Sequence, residues 1–421
     1  MIRHALTVGL LALAGCSSLP STTGGSLSRG ALETGVYPDL FRELLSHDSA
    51  ETEGKISRAW AQLFEGDSAS ERIYYPVGSD MGYVEDIANG DVRTEGMSYG
   101  MMIAAQLGRR DVFDRLWRWA RTHMRLASGA HAGYFAWHCT PQGAVLDSTA
   151  ASDGEEWFVT SLLVAASRWP DGARAYEEDA RAILHTMLHK EEEPLHGGVT
   201  NMFDSLAKLV VFVPSKGGNG FTDPSYQLPH FYRLWARRAS EDGAFWTAVE
   251  ESSRTLIRRA AHPRTGLSPD YAAFDGSPVG GWRGSHADFR FDAWRVAMNV
   301  AMDWVWCRSA PWEQEFADRL LTFFRSQGMN TYGNQYTLGG KPLGKDHSTG
   351  LVAANAVAAL AARGESRVEF VRALWDAPVP RGLYRYYDGM LYMLGLLEVS
   401  GRLRAYEPAG GSPPPVEGGA R

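Results

Sequence analysis

The chain has almost no cysteine, no surplus of positive charge and only one apolar run that stands apart from helical periodicity. Three cysteines in 421 residues cannot supply a disulfide framework. Forty-nine acidic residues against 42 basic ones leave a formal charge of −7, which argues against a protein that grips a nucleic-acid backbone through a concentrated basic face. No G-x-S-x-G elbow is present, so serine hydrolase chemistry has no support. The run from Gly339 to Lys345 looks like the opening of a phosphate loop. However, Asp346 stands where a hydroxyl residue would hold magnesium, and no strand pattern precedes it. His286, Asp288, Asp346 and His347 do not make a compact ligand motif, so neither a metal nor another cofactor is expected.

What is present begins at the N-terminus. Arg3 gives a short basic start, and the apolar run 5–14 is too short to cross a bilayer comfortably. Leu13-Ala14-Gly15-Cys16 then resembles the lipobox of bacterial lipoproteins, which would make 1–15 a signal peptide and Cys16 a lipidated first residue. Ser17 after it resembles an outer-membrane address, whereas an ordinary signal peptide would make the cysteine accidental. A Ser/Thr/Gly tether over 16–36 and a Gly/Pro tail over 404–421 leave 37–403 as a single folded domain held to a membrane by its anchor. Cys139 and Cys307 remain, and their pairing is open.

The body is 44% hydrophobic and 22% charged, enough for a substantial core. Fourteen Trp and 17 Tyr are a generous supply of flat faces for sugar rings, though many recur at helical spacing and so belong to a core. Apolar residues three and four apart predict helices over 56–64, 99–107, 113–126, 157–169, 173–188 and 228–239. The same spacing continues over 245–261, 289–305, 311–326, 347–363, 368–375 and 383–399. Segments 296–305 and 351–360 are apolar nearly all round, as inner helices must be, while Asp114, Arg115, Arg118 and Arg121 mark 113–126 as outer. An all-α (α/α)6 barrel of six hairpins fits this pattern; a generic helical bundle is the competing architecture.

Three acidic stretches stand out. Glu95 lies in Thr94-Glu95-Gly96-Met97-Ser98-Tyr99-Gly100-Met101, just ahead of an apolar helix. Capping would account for Glu95 or Thr94 but not for Gly96 and Gly100, which let something approach the backbone. A carboxyl among apolar and aromatic neighbours tends to keep its proton, as a general acid must. Asp288 and Asp292 stand four apart, so a helix would put them on one face, with Arg295 three beyond Asp292. A cap by Asp288 and an ion pair from Asp292 to Arg295 would explain this stretch; so would a base at Asp292 in a crevice. Asp153, beside Gly154, heads a third cluster with Glu155 and Glu156.

Together the 94–101 motif, Asp153-Gly154-Glu155-Glu156 and Asp292-Ala293-Trp294-Arg295 resemble glycoside hydrolase family 8, and within it the exo-oligoxylanases that release xylose from the reducing end. The likeness runs over about 56–400. It implies an α/α six-hairpin barrel that hydrolyses β-1,4-linked sugars with inversion. Glu95 then matches the general acid and Asp292 the base, with Asp288 the alternative base. Asp153, Tyr226 and Arg295 match a supporting network, and Tyr134 and Trp137 are candidate stacking surfaces. Phe291 stands where relatives acting on cellulose tend to have tyrosine. His347, before the apolar helix, matches a histidine that recognises the free anomeric hydroxyl; a helix cap is its other reading. Xylo-oligosaccharides are the expected partners, an endo-acting xylanase the nearest alternative, with a cellulase, a chitosanase or an inactive glycan-binding lipoprotein behind it.

Overall fold

The computed structural model describes residues 29–239, 241–281 and 285–406. The expected signal peptide and Cys16 lie outside them. Two short helices, α1 (Ala31–Thr34) and α2 (Leu40–Leu45), lead into twelve longer ones. The odd-numbered set is α3 (Ser49–Trp60), α5 (Arg110–Trp119), α7 (Ala173–His189), α9 (Gly243–Ala260), α11 (Pro311–Ser326) and α13 (Arg367–Asp376). The even-numbered set is α4 (Thr94–Leu107), α6 (Ser152–Arg168), α8 (Pro229–Arg238), α10 (Trp294–Cys307), α12 (Thr349–Ala358) and α14 (Arg385–Val399). Each even helix packs on the next, and α14 returns to α4, so the even helices close a ring; the odd helices lie outside it. This is the (α/α)6 barrel.

The burial pattern explains the layering. Every residue of α10 from Trp294 to Trp306 and of α12 from Gly350 to Ala358 is buried, because neighbours flank them and an outer helix backs them. By contrast, α5 buries one stripe (Val112, Phe113, Leu116, Trp117, Trp119) and leaves Arg118 exposed. Starts follow local chemistry: Asp48 and Glu51 form a reciprocal capping box on α3, and Pro229 and Pro311 open α8 and α11, where a missing N–H costs nothing.

Connection length separates the two faces of the ring. Chains leaving inner helices turn back within 108–109, 169–172, 239–242, 308–310 and 359–366. Chains returning to inner helices take 66–93, 125–151, 190–228, 261–293 and 327–348, which carry all the short strands among the described residues, and a shorter sixth, 377–384. The N-termini of all six inner helices therefore meet at the long-loop face, with their positive dipole ends and unpaired N–H groups.

Two boundaries differ from the sequence expectation. Ala31 and Leu32 are buried, and a side chain on Gly30 would sit 2.1 Å from the Trp306 carbonyl oxygen, so part of the expected tether is packed. At the other end, Arg404 and Ala405 hydrogen-bond to Gln106 and Tyr37. Cys139 and Cys307 are both free thiols.

Candidate active site

α4 begins at Thr94, earlier than its apolar run suggests, so Glu95 is in its first turn and Gly96 faces a neighbour. A methyl on Gly96 would lie 2.5 Å from Cε2 of Tyr386 at the start of α14. The glycine thus lets the Tyr386 ring lie on the α4 backbone, where its hydroxyl meets Glu95 Oε1 at 2.9 Å. Gly154 serves the neighbouring seam: a methyl there would be 2.4 Å from Thr94, so α4 and α6 start almost in contact. That seam carries Asp153 beside Glu95.

Arg295, in the first turn of α10, ties the starts of the helices together. Its Nη1 donates to Glu95 Oε2 at 2.8 Å, to Asp153 Oδ2 at 2.9 Å and to the Tyr99 hydroxyl at 2.7 Å. Its Nη2 donates to Asp292 Oδ1 and to Ser225 Oγ, both at 2.9 Å. The Tyr226 ring lies under the guanidinium, 5.6 Å from its carbon. One fixed fork of donors therefore sets the spacing of three carboxyl groups. Glu95 and Asp292 occupy different terminal nitrogens, which places their nearer oxygens no more than about 8 Å apart and within reach of the 6.5–9.5 Å that admits a water to an inverting pair.

The three acids differ in environment. Asp153 is buried and receives a second hydrogen bond from the Gly154 N–H at 2.9 Å. Burial raises its proton affinity, and Arg295 opposes that. Glu95 is pushed up to about 7 by burial, with Asp153 and Asp292 adding to the rise and Arg295 pulling against it. Arg295 occupies Oε2, so the proton belongs on Oε1, beside the Tyr386 oxygen. Asp292 is the most open of the three, its side chain 33% exposed against 18% for Glu95 and 7% for Asp153. A shielded acid with raised proton affinity and a more open acid on one arginine suit the two halves of an acid–base pair.

Asp288 is not part of this group. α10 starts at Trp294, because the Phe289 backbone is taken by a two-way bridge to Tyr336. Asp288 and Asp292 therefore share no helix face, and the Asp288 side chain lies 3.8 Å from Arg290, while its carbonyl accepts from Asp270 N–H. Tyr134 is also displaced from its expected role: it is fully buried, and its hydroxyl is spent on the Thr200 and Thr186 carbonyls, so it has no face for a sugar. Trp137 is half-buried next to the α4 start, its ring between Arg93 at 5.6 Å and His138 at 4.5 Å. Phe291 is 45% exposed beside the base.

His347 is exposed and does not cap α12, whose start has no side-chain cap. Its Nδ1–H donates to the Tyr332 carbonyl at 3.0 Å, which selects the tautomer whose Nε2 can act as an acceptor. The segment around it is tied down: Asn334 donates to Ser348 Oγ at 2.9 Å, and Trp294 Nε1 donates to the Asn334 carbonyl at 3.0 Å. The wall carrying His347 is thus fastened to the helix that carries Arg295.

The sequence matches the family described as glycosyl hydrolases family 8 over residues 77–401. The chain belongs to glycosyl hydrolase family 8. Within this family it is 44% identical over 386 residues to the reducing-end xylose-releasing exo-oligoxylanase of Paenibacillus barcinonensis, covering 90% of this chain and 99% of that one. A mutant of that enzyme complexed with an arabinofuranosyl-xylotetraose superposes with a TM-score of 0.86 at 42% identity, over 91% of this chain and 100% of the other. A family 8 xylanase from Teredinibacter turnerae, a catalytic mutant complexed with xylohexaose, also gives 0.86, at 41% identity and over 90% and 100% of the two chains.

The family 8 site also contains residues with no assigned role in the sequence reading. Tyr386, Tyr99 and Ser225 touch Glu95 or Arg295 directly. Their only signal was position: Tyr99 in the glycine-containing motif, Ser225 beside Tyr226, and Tyr386 at the start of an apolar helix. Asp223 and Asp270, both buried, lie in the loops beside Asp292. Among the described residues no cluster of His, Cys, Asp and Glu suits a metal ion.

Proposed function

We propose that this chain is an inverting glycoside hydrolase that releases xylose from the reducing end of β-1,4-xylo-oligosaccharides. The observation that carries the chemistry is the single arginine fork holding a shielded Glu95 and an open Asp292. Glu95 gives its Oε1 proton to the departing glycosidic oxygen. Asp292 takes a proton from a water that attacks the opposite face of the anomeric carbon, inverting it. Asp153 accepts from the same Arg295 nitrogen as Glu95, and Tyr226, under the guanidinium, is the residue we assign to placing the attacking water. No covalent sugar–enzyme intermediate is needed.

Cleavage one sugar from the end follows from the fastened segment around His347. A free anomeric hydroxyl can donate to its Nε2, and in this reading the fastened segment closes the acceptor side after one sugar. A site built to pair a hydroxyl disfavours an analogue that presents it differently, because the hydrogen bond is lost. Xylotriose should give xylose and xylobiose, and reduction of its terminal aldehyde should slow cleavage by about a hundredfold or more. His347→Ala should narrow that preference rather than lower both rates alike. Rapid internal cutting of polymeric xylan, with equal use of reduced and unreduced trimer, would establish the endo-xylanase reading instead.

A further inference from the structure

Beside Asp292 lies a pair that the mechanism above does not use. Asp270, in the loop before α10, is buried, with its side chain 3% exposed. Its Oδ1 accepts the N–H of Ala293, the residue that follows the base, at 3.2 Å. Its Oδ2 accepts from His286 Nδ1, also at 3.2 Å. His286 is stacked on Tyr271 with centroids 4.2 Å apart and planes at 12°, and its side chain is 32% exposed. The two segments are laced together by backbone bonds from Asp270 N–H to the Asp288 carbonyl and from Tyr271 N–H to the His286 carbonyl. A solvent-facing imidazole thus reaches, through one buried carboxylate, the peptide group that orients the base.

We propose that Asp270 is a positioning residue for Asp292, with His286 as its solvent-side partner: the pair holds the turn carrying the base and, while Asp270 is ionised, strengthens the base by placing a second negative charge beside it. This rests on the assignment of Asp292 as base. The charged and titratable groups facing Asp292 are Arg295, Glu95, Asp153, Asp223 and Asp270, and the Tyr226, Tyr271 and Tyr387 phenols complete the wall. Asp223 is held well above the usual carboxylate range by burial and then by Asp292. Asp270 is raised to about 6 by burial, with His286 pulling it down, which lies below the value of about 7 at Glu95.

The signs differ for the two partners. Protonation of Asp270 weakens the base, so the wild-type kcat/KM should fall as pH drops through about 6. Asp270→Asn keeps an oxygen for Ala293 N–H and removes the charge. It should lower the plateau of kcat/KM on xylotriose roughly tenfold and move the acid limb to lower pH by about one unit, because the charge beside the base no longer changes with pH. His286→Gln should move the limb the other way, to higher pH, because Asp270 loses the partner that favours its anion. The Asp270→Asn deficit should persist on β-xylobiosyl fluoride, whose leaving group needs little acid help while the water still needs a base. A pH profile unchanged in both folded variants, a common shift in one direction, or full recovery on the fluoride would each overturn the proposal. Wild-type protein that fails to cleave xylotriose at all would instead overturn the functional reading.

Discussion

A carboxyl that must give up a proton has to be kept from losing it early, and Glu95 stands where burial, two acids and one arginine contest that balance. Burial and the acids win, setting it at about 7. Because Glu95 acts in its protonated form, kcat/KM should fall as pH rises through about 7, and this basic limb should vanish on a fluoride leaving group. Glu95→Gln should lower turnover of natural oligosaccharides by roughly 10²–10⁴-fold with the fold intact. Asp292→Asn should cost at least as much, and Asp288→Asn far less, since the Asp288 side chain only approaches Arg290; the reverse ranking in folded variants would reassign the base. Glu95 was legible because its glycines demanded a close neighbour. The choice between Asp292 and Asp288 was not, because four-residue spacing speaks only inside a helix and the Phe289–Tyr336 bridge delays the start of α10. Tyr134 misled for a related reason: an aromatic next to glycine looks exposed until Gly133, at φ 89°, folds it inward under Thr186.

At the level of elements, helical periodicity identified the inner and outer partners, since burial on all sides and burial on one stripe leave different patterns. It could not show which loop residues face one another. Tyr386 and Glu95 are 291 positions apart and meet only when the ring closes through α14 and α4. Gly96 is the hinge of that meeting. Gly96→Ala places a methyl 2.5 Å from the Tyr386 ring, and the start of α14 must shift. Overpacking of this kind costs about 1–3 kcal/mol. The variant should melt several degrees lower and lose turnover beyond that of Tyr386→Phe, which removes the same hydrogen bond without the clash. Equal melting temperatures for Gly96→Ala and wild type would show that the seam has slack.

The whole molecule buries acids in both helix layers that its chemistry does not need. Glu155 is raised by burial to about 8, and Glu313 to about 10 by burial and then by Asp303. Glu156 and Glu398 are driven well above the ordinary carboxylate range, and Oε2 of each has no hydrogen-bond partner. An unfolded chain ionises these groups near the ordinary value, whereas the folded chain keeps their protons. Above that value the native state therefore binds more protons than the unfolded one, and stability is lost as pH rises toward the folded values. Asp303 works in the opposite sense: Arg254 holds its anion at 2.7 and 2.9 Å and, against burial, lowers it to about 2, so its contribution disappears only in strong acid. The melting temperature should consequently peak near about pH 5 and decline steadily toward pH 9. Glu398→Gln offers the sharpest check, because an amide of the same shape cannot titrate and the only cause of the Glu398 shift is burial. It should melt close to wild type at pH 5 and above wild type at pH 8. A wild-type melting temperature that climbs from pH 5 to pH 8, or a Glu398→Gln curve parallel to it, would mean that the unpartnered acid is ionised inside the barrel and stabilised by groups other than those around it.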